Sequence, residues 1–151
     1  MAIINEMRAD FLSCPENESF ARMVISAFVL QLNPTLEQLG DIKTSVSEAV
    51  TNAVIHGYGN VRGTVRMKAQ LNDMGELIVD IIDNGCGIED IGRARAPFFS
   101  SVQDSDRSGM GFTVMESFMD DVMVFSQKGL GTTVRMRKLI PQEEAPLMRR
   151  A

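Results

Sequence analysis

The chain has 151 residues, which is enough for one domain that folds around its own hydrophobic core. Its 15 Lys and Arg against 20 Asp and Glu give a formal net charge of −5, which argues against a nucleic-acid-binding surface of clustered basic residues. An acidic surface favours solubility and also suits a basic protein partner. Cys14 and Cys86 do not suggest a disulfide framework, and no apolar run predicts a signal peptide or a membrane span. We therefore expect a cytoplasmic protein without membrane or direct nucleic-acid contact.

The first part of the chain predicts a weak strand and a helix. Residues 3–12 alternate loosely between apolar and polar side chains, which favours an edge strand. Asn17 is placed to cap a helix that runs to Leu32, before the Asn33-Pro34 break. The predicted buried face of this helix consists of Phe20, Met23, Val24, Ala27 and Phe28.

A second helix is predicted from Thr35 to about Ile55, with Gly57 as the residue that ends it. Thr35 and Gln38 have the spacing of a capping box. Apolar residues recur with the period of a helix and predict a face packed on a sheet. They are Leu39, Ile42, Val46, Ala49, Val50 and Ala53.

The second half of the chain predicts two hairpins around an irregular segment and a short helix. In order, these are strands 63–71 and 76–83, the irregular segment 88–107, helix 109–119, and strands 122–126 and 132–139. An irregular segment of this length is uncommon unless it is functional, for example as a lid. The order of elements predicts a two-layer α+β sandwich over residues 1–140, with a mixed, mostly antiparallel sheet and helices on one face. Residues 141–151 are predicted to be a disordered tail.

A polar stripe runs along the second helix, opposite its apolar stripe. Asp41, Ser45, Glu48 and Asn52 have the spacing i, i+4, i+7, i+11. Such a stripe is usually a solvated face, but this one has no Lys or Arg and ends in Asn, a poor helix former. An Asn oxygen can coordinate Mg²⁺. A Glu one turn away can orient or deprotonate a hydroxyl or a water.

The segment Asp83–Gly87 directly follows a predicted strand. Its glycines permit sharp turns and close approach of a ligand, and Asp83 could accept a hydrogen bond from an exocyclic amine such as that of adenine. Taken alone, Asp-Asn-Gly is explained more simply as a type I′-like turn between two elements.

Two further segments could contribute to a ligand site but are weak evidence alone. Ser108-Gly109-Met110-Gly111 opens a helix, where free backbone N–H groups make an anion site. Arg107 could add charge there or could be an ordinary exposed loop residue. Gly131-Thr132-Thr133 places two hydroxyls where the last strand begins, although a turn followed by β-favouring Thr is the simpler explanation.

In this order the motifs resemble the ATP-binding fold shared by gyrase, Hsp90, histidine kinases and MutL. Longer stretches resemble the anti-sigma F factors of sporulating bacteria over about residues 5 to 138. The matching stretches are Asn17–Arg22, Ser47–Tyr58 and Arg107–Asp121. Cys86 and the segment Ser100–Asp106 are less typical of that family.

The resemblance implies a Bergerat-type fold that binds ATP with Mg²⁺. It implies that Asn52 is the metal ligand, Glu48 the catalytic base, and Asp83 the residue that reads the adenine amine. It implies further nucleotide-binding roles as follows: Thr132 or Thr133 beside Asp83, Arg107 near the phosphates, and Gly85, Gly87, Ser108, Gly109, Met110 and Gly111 around the pocket. Residues 88–107 would form the lid, and Arg22 would lie on a partner-facing surface.

The resemblance also implies a homodimer that holds sigma factor F inactive and phosphorylates a serine on an anti-anti-sigma factor. An alternative is an ATP-gated sigma-binding module with little kinase activity, and Glu48 separates the two, because binding alone requires no base. A histidine kinase would need a helical segment with an acceptor His before this domain. The chain begins almost at the fold, and its one His, His56, sits at a helix end and is interpreted as structural.

Overall fold

The computed structural model describes residues 1–96 and 110–143. The strands are β1 (Ile3–Leu12), β2 (Thr64–Asn72), β3 (Glu76–Asp83), β4 (Asp121–Gln127) and β5 (Gly131–Leu139). The helices are α1 (Asn17–Val29), α2 (Leu36–Asn52), α3 (Ile91–Arg95) and α4 (Gly111–Phe118). A 3₁₀ turn, Leu30–Leu32, follows α1, and a π-helical turn, Ala53–Tyr58, continues α2.

The five strands form one sheet in the order β1-β2-β3-β5-β4, and α1, α2 and α4 contribute to the core on one of its faces. This confirms the predicted α+β architecture, although every strand pairing in the described residues is antiparallel rather than mixed. Along β3, alternate side chains from Leu77 to Asp83 point toward the helices. The opposite face of the sheet carries ion pairs between neighbouring strands: Arg66–Asp10, Lys68–Glu6, Arg135–Asp80 and Arg137–Glu76.

The predicted buried face of α1 is only partly correct, because Val24 and Phe28 pack against the core but the fully buried residues are different ones. The helix buries Ala21, Ile25 and Val29, whereas Phe20 is 45% exposed and Met23 73% exposed. Apolar residues occur on more than one side of this helix, so periodicity could not decide which side meets the sheet. The predicted cap is also wrong, because Asn17 lies inside the helix and its side-chain amide donates to the Leu12 carbonyl at 2.9 Å.

The start of α2 is as predicted, but its end is not. The Gln38 backbone N–H donates to the Thr35 hydroxyl at 3.1 Å, and the Gln38 side chain accepts from the Thr35 N–H at 2.8 Å. Gly57 does not end the helix, because the chain continues through the π-helical turn to Gly59, where φ is 60°. Such turns are rare and occur mostly at functional sites.

The irregular segment predicted over 88–107 contains α3 in its described part. The Asp90 side chain caps α3 by accepting from the Arg93 N–H at 3.0 Å. Of the predicted disordered tail, residues 141–143 are described, and the Gln142 amide donates to the Leu32 carbonyl at 2.7 Å. None of the helices described is both long and apolar enough to cross a bilayer.

Helix α4 runs antiparallel along the polar stripe of α2. Its first residue, Gly111, lies over Asn52, and at its other end the Lys138 ammonium joins the Phe118 carbonyl, at 2.6 Å, to Asp41, at 3.5 Å. A cation at the C-terminus of a helix is favourable for the helix dipole. Ser45 lies in the stripe between Asp41 and Glu48 and is completely buried. The stripe therefore lies against another helix and is not a solvated face.

Ser45 and Ser47 give a matched test of this packing. Among the described residues the Ser45 hydroxyl has no hydrogen-bond partner, whereas the Ser47 hydroxyl donates to Glu18 of α1. Ser45→Ala should raise the free energy of unfolding by about 1 kcal/mol, because an unpaired buried hydroxyl is costly and Ala favours helix. Ser47→Ala should lower it by about the same amount. Urea unfolding measures both, and a destabilised Ser45→Ala variant would contradict the packing described.

Candidate functional site

The first turn of α4 lies directly against two side chains of α2. A Cβ atom at Gly111 would be 3.1 Å from Asn52 Nδ2, 3.3 Å from Asn52 Oδ1 and 3.3 Å from Glu48 Oε2. Within the described part of the chain, no hydrogen bond engages either side chain. The structure therefore brings Glu48, Asn52 and Gly111 together, and a side chain at 111 would force both neighbours to shift by a few tenths of an ångström.

The start of α4 also supplies backbone donors. Met110 precedes the helix, and its carbonyl accepts the first intrahelical hydrogen bond, from the Val114 N–H at 2.9 Å. The N–H groups of Gly111, Phe112 and Thr113 thus lie in the first turn, where α-helical geometry offers them no acceptor. A carboxylate, a carboxamide and a helix N-terminus consequently share one place, which suits an anion held together with a hard metal ion.

Asp83 ends β3 on the helix-facing side of the sheet and is 6% exposed. Its Oδ1 atom accepts from the Gly85 N–H at 2.9 Å, and its carboxyl also accepts from the Thr132 backbone N–H. Burial raises the pKa of Asp83 above its ordinary value, and the two backbone hydrogen bonds partly oppose that effect. The site thus contains a desolvated carboxyl that the backbone holds in one orientation.

Glycines allow three backbone segments to converge on Asp83. A Cβ at Gly57 would lie 2.9 Å from the Asp83 carboxyl carbon, and one at Gly85 would lie 2.0 Å from the Gly57 carbonyl oxygen. Gly131 has φ of 104°, and a Cβ there would lie 2.1 Å from the Asp83 carbonyl oxygen. Gly87 has φ of 75°, and a Cβ there would lie 2.2 Å from the Gln127 carbonyl oxygen at the end of β4. A side chain at Gly85, Gly87 or Gly131 would require the backbone to move, and one at Gly57 would displace the Asp83 carboxyl.

The two threonines at the start of β5 are separated by the pleat of the sheet. Thr132 pairs with Asp83, is 9% exposed, and lies on the same face of the sheet. Thr133 pairs with Ile82 and Phe125 on the opposite face. Of the two hydroxyls that were alternatives in the sequence, Thr132 is the one beside Asp83, and Thr133 is not brought to the site.

Ser126 was not predicted, and it holds the threonine end of the site in place. Its hydroxyl donates to the Gly131 carbonyl at 3.0 Å and accepts from the Ile88 N–H at 2.7 Å, and it lies 2.8 Å from the Thr132 hydroxyl. The sequence signal was available only indirectly, since Ser126 becomes a neighbour of Thr132 once the register of the last hairpin is known.

Arg107, Ser108 and Gly109 lie outside the described residues, as does the predicted lid beyond residue 96. At the start of the predicted lid, the Arg95 guanidinium on α3 bonds to Glu116 of α4 and donates to the Val122 carbonyl at 3.1 Å. Arg22 lies on the exposed side of α1 and forms an ion pair with Glu18 at 3.5 Å.

Comparison with known proteins agrees with this fold. A model of the histidine kinase-like ATPase domain matches residues 11–138, and the chain belongs to that family. Two solved structures share the fold at low sequence identity. The RsbU and RsbW domains of Rv1364c from Mycobacterium tuberculosis superpose with a TM-score of 0.67 at 17% identity, covering 92% of this chain and 34% of that one. Full-length ShkA in complex with AMPPNP gives 0.55 at 19% identity, covering 87% and 31%.

Relatives of higher sequence identity show to which group within this family the chain belongs. The anti-sigma F factor of Clostridium botulinum (strain Eklund 17B / Type B) is 50% identical over 135 residues, covering 89% of this chain and 94% of the relative. The anti-sigma F factor of Thermoanaerobacter pseudethanolicus is 49% identical over 144 residues, covering 95% and 100%. Within the ATPase-domain family, the chain belongs with the anti-sigma F factors.

The raised pKa of Asp83 predicts a pH-dependent difference in stability. Above its ordinary pKa of 3.8, the unfolded chain loses this proton more readily than the folded protein, so the charge in the folded state costs stability. Asp83→Asn should therefore be more stable than the wild type near pH 7, and this advantage should disappear as pH falls below about 3.8. Thermal unfolding without ligand between pH 3 and 8 measures the difference.

Asp10 is the matched control, because the side chain of Arg66 lowers the pKa of this exposed carboxyl. Asp10→Asn should lose stability near pH 7, and the loss should disappear at low pH, which is the opposite sign. If Asp83→Asn were destabilised to the same degree at every pH, burial of the Asp83 charge would not be the cause.

Proposed function

We propose that this protein binds ATP with Mg²⁺ at the site of Glu48, Asn52, Asp83 and Gly111 and transfers the γ-phosphoryl group to a serine of an anti-anti-sigma factor. We further propose that it acts as a homodimer that sequesters sigma factor F. The observation that carries the proposal is the convergence of α4 on Glu48 and Asn52 beside the buried Asp83 carboxyl. The relatives named anti-sigma F factor, at about 50% identity, support the choice of partner.

At one end of the proposed site, Asp83 recognises the adenine ring of ATP. A buried carboxylate whose hydrogen bonds come from backbone N–H groups has acceptor capacity left for one more donor. The exocyclic amine of adenine is such a donor, whereas guanine presents a carbonyl at the same position. Repulsion between that carbonyl and the carboxylate would select against guanine.

Glu48, Asn52 and the start of α4 supply the phosphate end. The Asn52 carboxamide presents an oxygen suited to Mg²⁺, and the residues fit a metal that is shared with phosphate oxygens. Bound Mg²⁺ would neutralise charge on those oxygens. The first turn of α4 begins beside these side chains, and Gly111 would let phosphate approach its N–H groups closely.

Glu48 is assigned as the base. In the transfer, the serine oxygen bonds to the γ-phosphorus, the bond from that phosphorus to the bridging oxygen of ATP breaks, and ADP leaves. The hydroxyl proton passes to the Glu48 carboxylate. That carboxylate has no hydrogen bond to another described residue, so it is available as an acceptor.

Binding of a protein partner is supported by the outer side of α1. Phe20 and Met23 are exposed there, and Arg22 lies between them in the sequence. The Glu18 carboxylate holds Arg22 at 3.5 Å and accepts from Ser47 of α2, the residue before Glu48. Large exposed apolar side chains and Arg are both enriched at protein interfaces.

Asp83→Asn should weaken ATP binding by about 10- to 150-fold, since a hydrogen bond to a charged group is worth about 1.5–3 kcal/mol. Isothermal titration calorimetry with Mg-ATP measures this change. Asp10→Asn, on the opposite face of the sheet, should bind ATP as the wild type does. Unchanged ATP affinity in Asp83→Asn would refute the contact with adenine.

Glu48→Ala should bind ATP within about threefold of the wild type but transfer phosphate 10²–10⁴-fold more slowly, the range typical of a lost general base. The protein is incubated with γ-labelled ATP, an anti-anti-sigma factor and sigma factor F, and transfer and co-elution are measured separately. Glu37→Ala, at the exposed first turn of the same helix, is the control. A Glu48→Ala variant that transfers phosphate at the normal rate would exclude Glu48 as the base. If the wild type co-elutes with sigma factor F but transfers no phosphate, the protein would instead be an ATP-gated sigma-binding module.

A further inference from the structure

The π-helical turn Ala53–Tyr58 connects the two ends of the proposed site. It begins directly after Asn52 and then contacts the loop that follows Asp83. The Gly57 carbonyl accepts from the Cys86 N–H at 2.8 Å, and the His56 carbonyl accepts from the Cys86 thiol at 3.1 Å. The wider turn delivers these groups to the loop, where an ordinary α-helical end would place different residues.

Tyr58 makes the third contact between the turn and the loop. Its hydroxyl accepts from the Asn84 N–H at 2.7 Å and donates to the Thr64 carbonyl at 2.6 Å. The ring fills the space beside Gly63, where a Cβ would lie only 2.2 Å from ring atom Cε1. The position of the hydroxyl is therefore set by packing of the ring as well as by its two hydrogen bonds.

The hydroxyl occupies a specific place in the sheet. The ladder between β2 and β3 ends at the pair Val65 and Asp83. At the next rung the strands do not bond directly, and the Tyr58 hydroxyl lies between the Thr64 carbonyl and the Asn84 N–H. The strands thus separate immediately after Asp83, while the residue that follows Asp83 stays anchored.

We propose that Tyr58 is a positioning residue for recognition of the adenine amine. The segment from Asp83 to Gly85 is held at Asn84 by Tyr58 and at Gly85 by the Asp83 carboxyl itself. Without the hydroxyl, the Asn84 amide turns to water and the Asp83 carboxyl loses its fixed direction. This inference rests on the proposed function, in which Asp83 accepts from the amine, and assigns to Tyr58 the selectivity of that contact.

The test uses Tyr58→Phe, which keeps the ring against Gly63 and removes only the hydroxyl. Binding of Mg-ATP is compared with that of the triphosphate of purine riboside, which lacks the exocyclic amine. Tyr58→Phe should weaken ATP binding by about five- to tenfold, the value of one neutral hydrogen bond, and change binding of the analogue by less than about twofold. Asn60→Ala, two residues further along and exposed, should leave both affinities unchanged.

Equal weakening of both nucleotides in Tyr58→Phe would overturn the inference, because a merely structural role cannot distinguish them. A wild type that binds both nucleotides equally would overturn the Asp83 contact as well. If Tyr58→Phe has a lowered thermal midpoint, a double-mutant cycle that combines it with Asp83→Asn still shows whether Tyr58 acts through Asp83. A residue that acts through Asp83 has less than about a twofold further effect on ATP affinity in the Asp83→Asn background, whereas independent effects would multiply.

Discussion

The close approach of the Gly57 backbone to the loop after β3 is the constraint on which the rest of the site depends. The buried Asp83 carboxyl occupies the space that a side chain at position 57 would need. In the same way, the Gly57 carbonyl occupies the space that a side chain at position 85 would need. Burial is what makes Asp83 useful, because a carboxyl held by backbone donors in a desolvated place interacts more strongly than it would in water. The cost of that burial is reflected in its raised pKa.

The π-helical turn is the means by which the helix reaches that loop. Helix α2 is fixed at its start by a capping box and along its length by the core, so its last turns have a defined position. Asn52 ends the regular part, and the next six residues are wound more widely until Gly59. Consequently one continuous segment carries Glu48 and Asn52 at one end of the site and Gly57 and Tyr58 at the other. Their separation is set by the backbone and not by flexible loops.

Much of this arrangement follows from the sequence because it depends on local periodicity. Helical spacing placed Glu48 and Asn52 on one face, and a strand that ends in Asp83-Asn84-Gly85 placed a carboxyl at the edge of the sheet. The choice between Thr132 and Thr133 could not be made in the same way, since it depends on the register between β5 and β3.

The remaining errors concern features that only tertiary contacts determine. The buried face of α1 could not be predicted from periodicity, because Phe20 and Met23 are as apolar as Ile25 and Val29. In the folded protein Ile25 and Val29 are buried, whereas Phe20 and Met23 are exposed. The π-helical turn was missed because Gly57 has the composition of a helix end. Its actual role depends on a loop that is about 30 residues away in the chain.

Helix α4 explains why the polar stripe of α2 has no basic residue. A Lys or Arg in the middle of the stripe would be buried against α4, as Ser45 is, and near Gly111 it would occupy the space that Glu48 and Asn52 share. The cation that pairs with Asp41 in the stripe is Lys138 of β5, whose ammonium also donates to the last carbonyl of α4. The same helix therefore has its carbonyl end stabilised by a fixed protein charge, while its N–H end lies beside the oxygen-bearing side chains of Glu48 and Asn52. That polarity is the physical reason why an anion, accompanied by a metal ion, suits the N–H end.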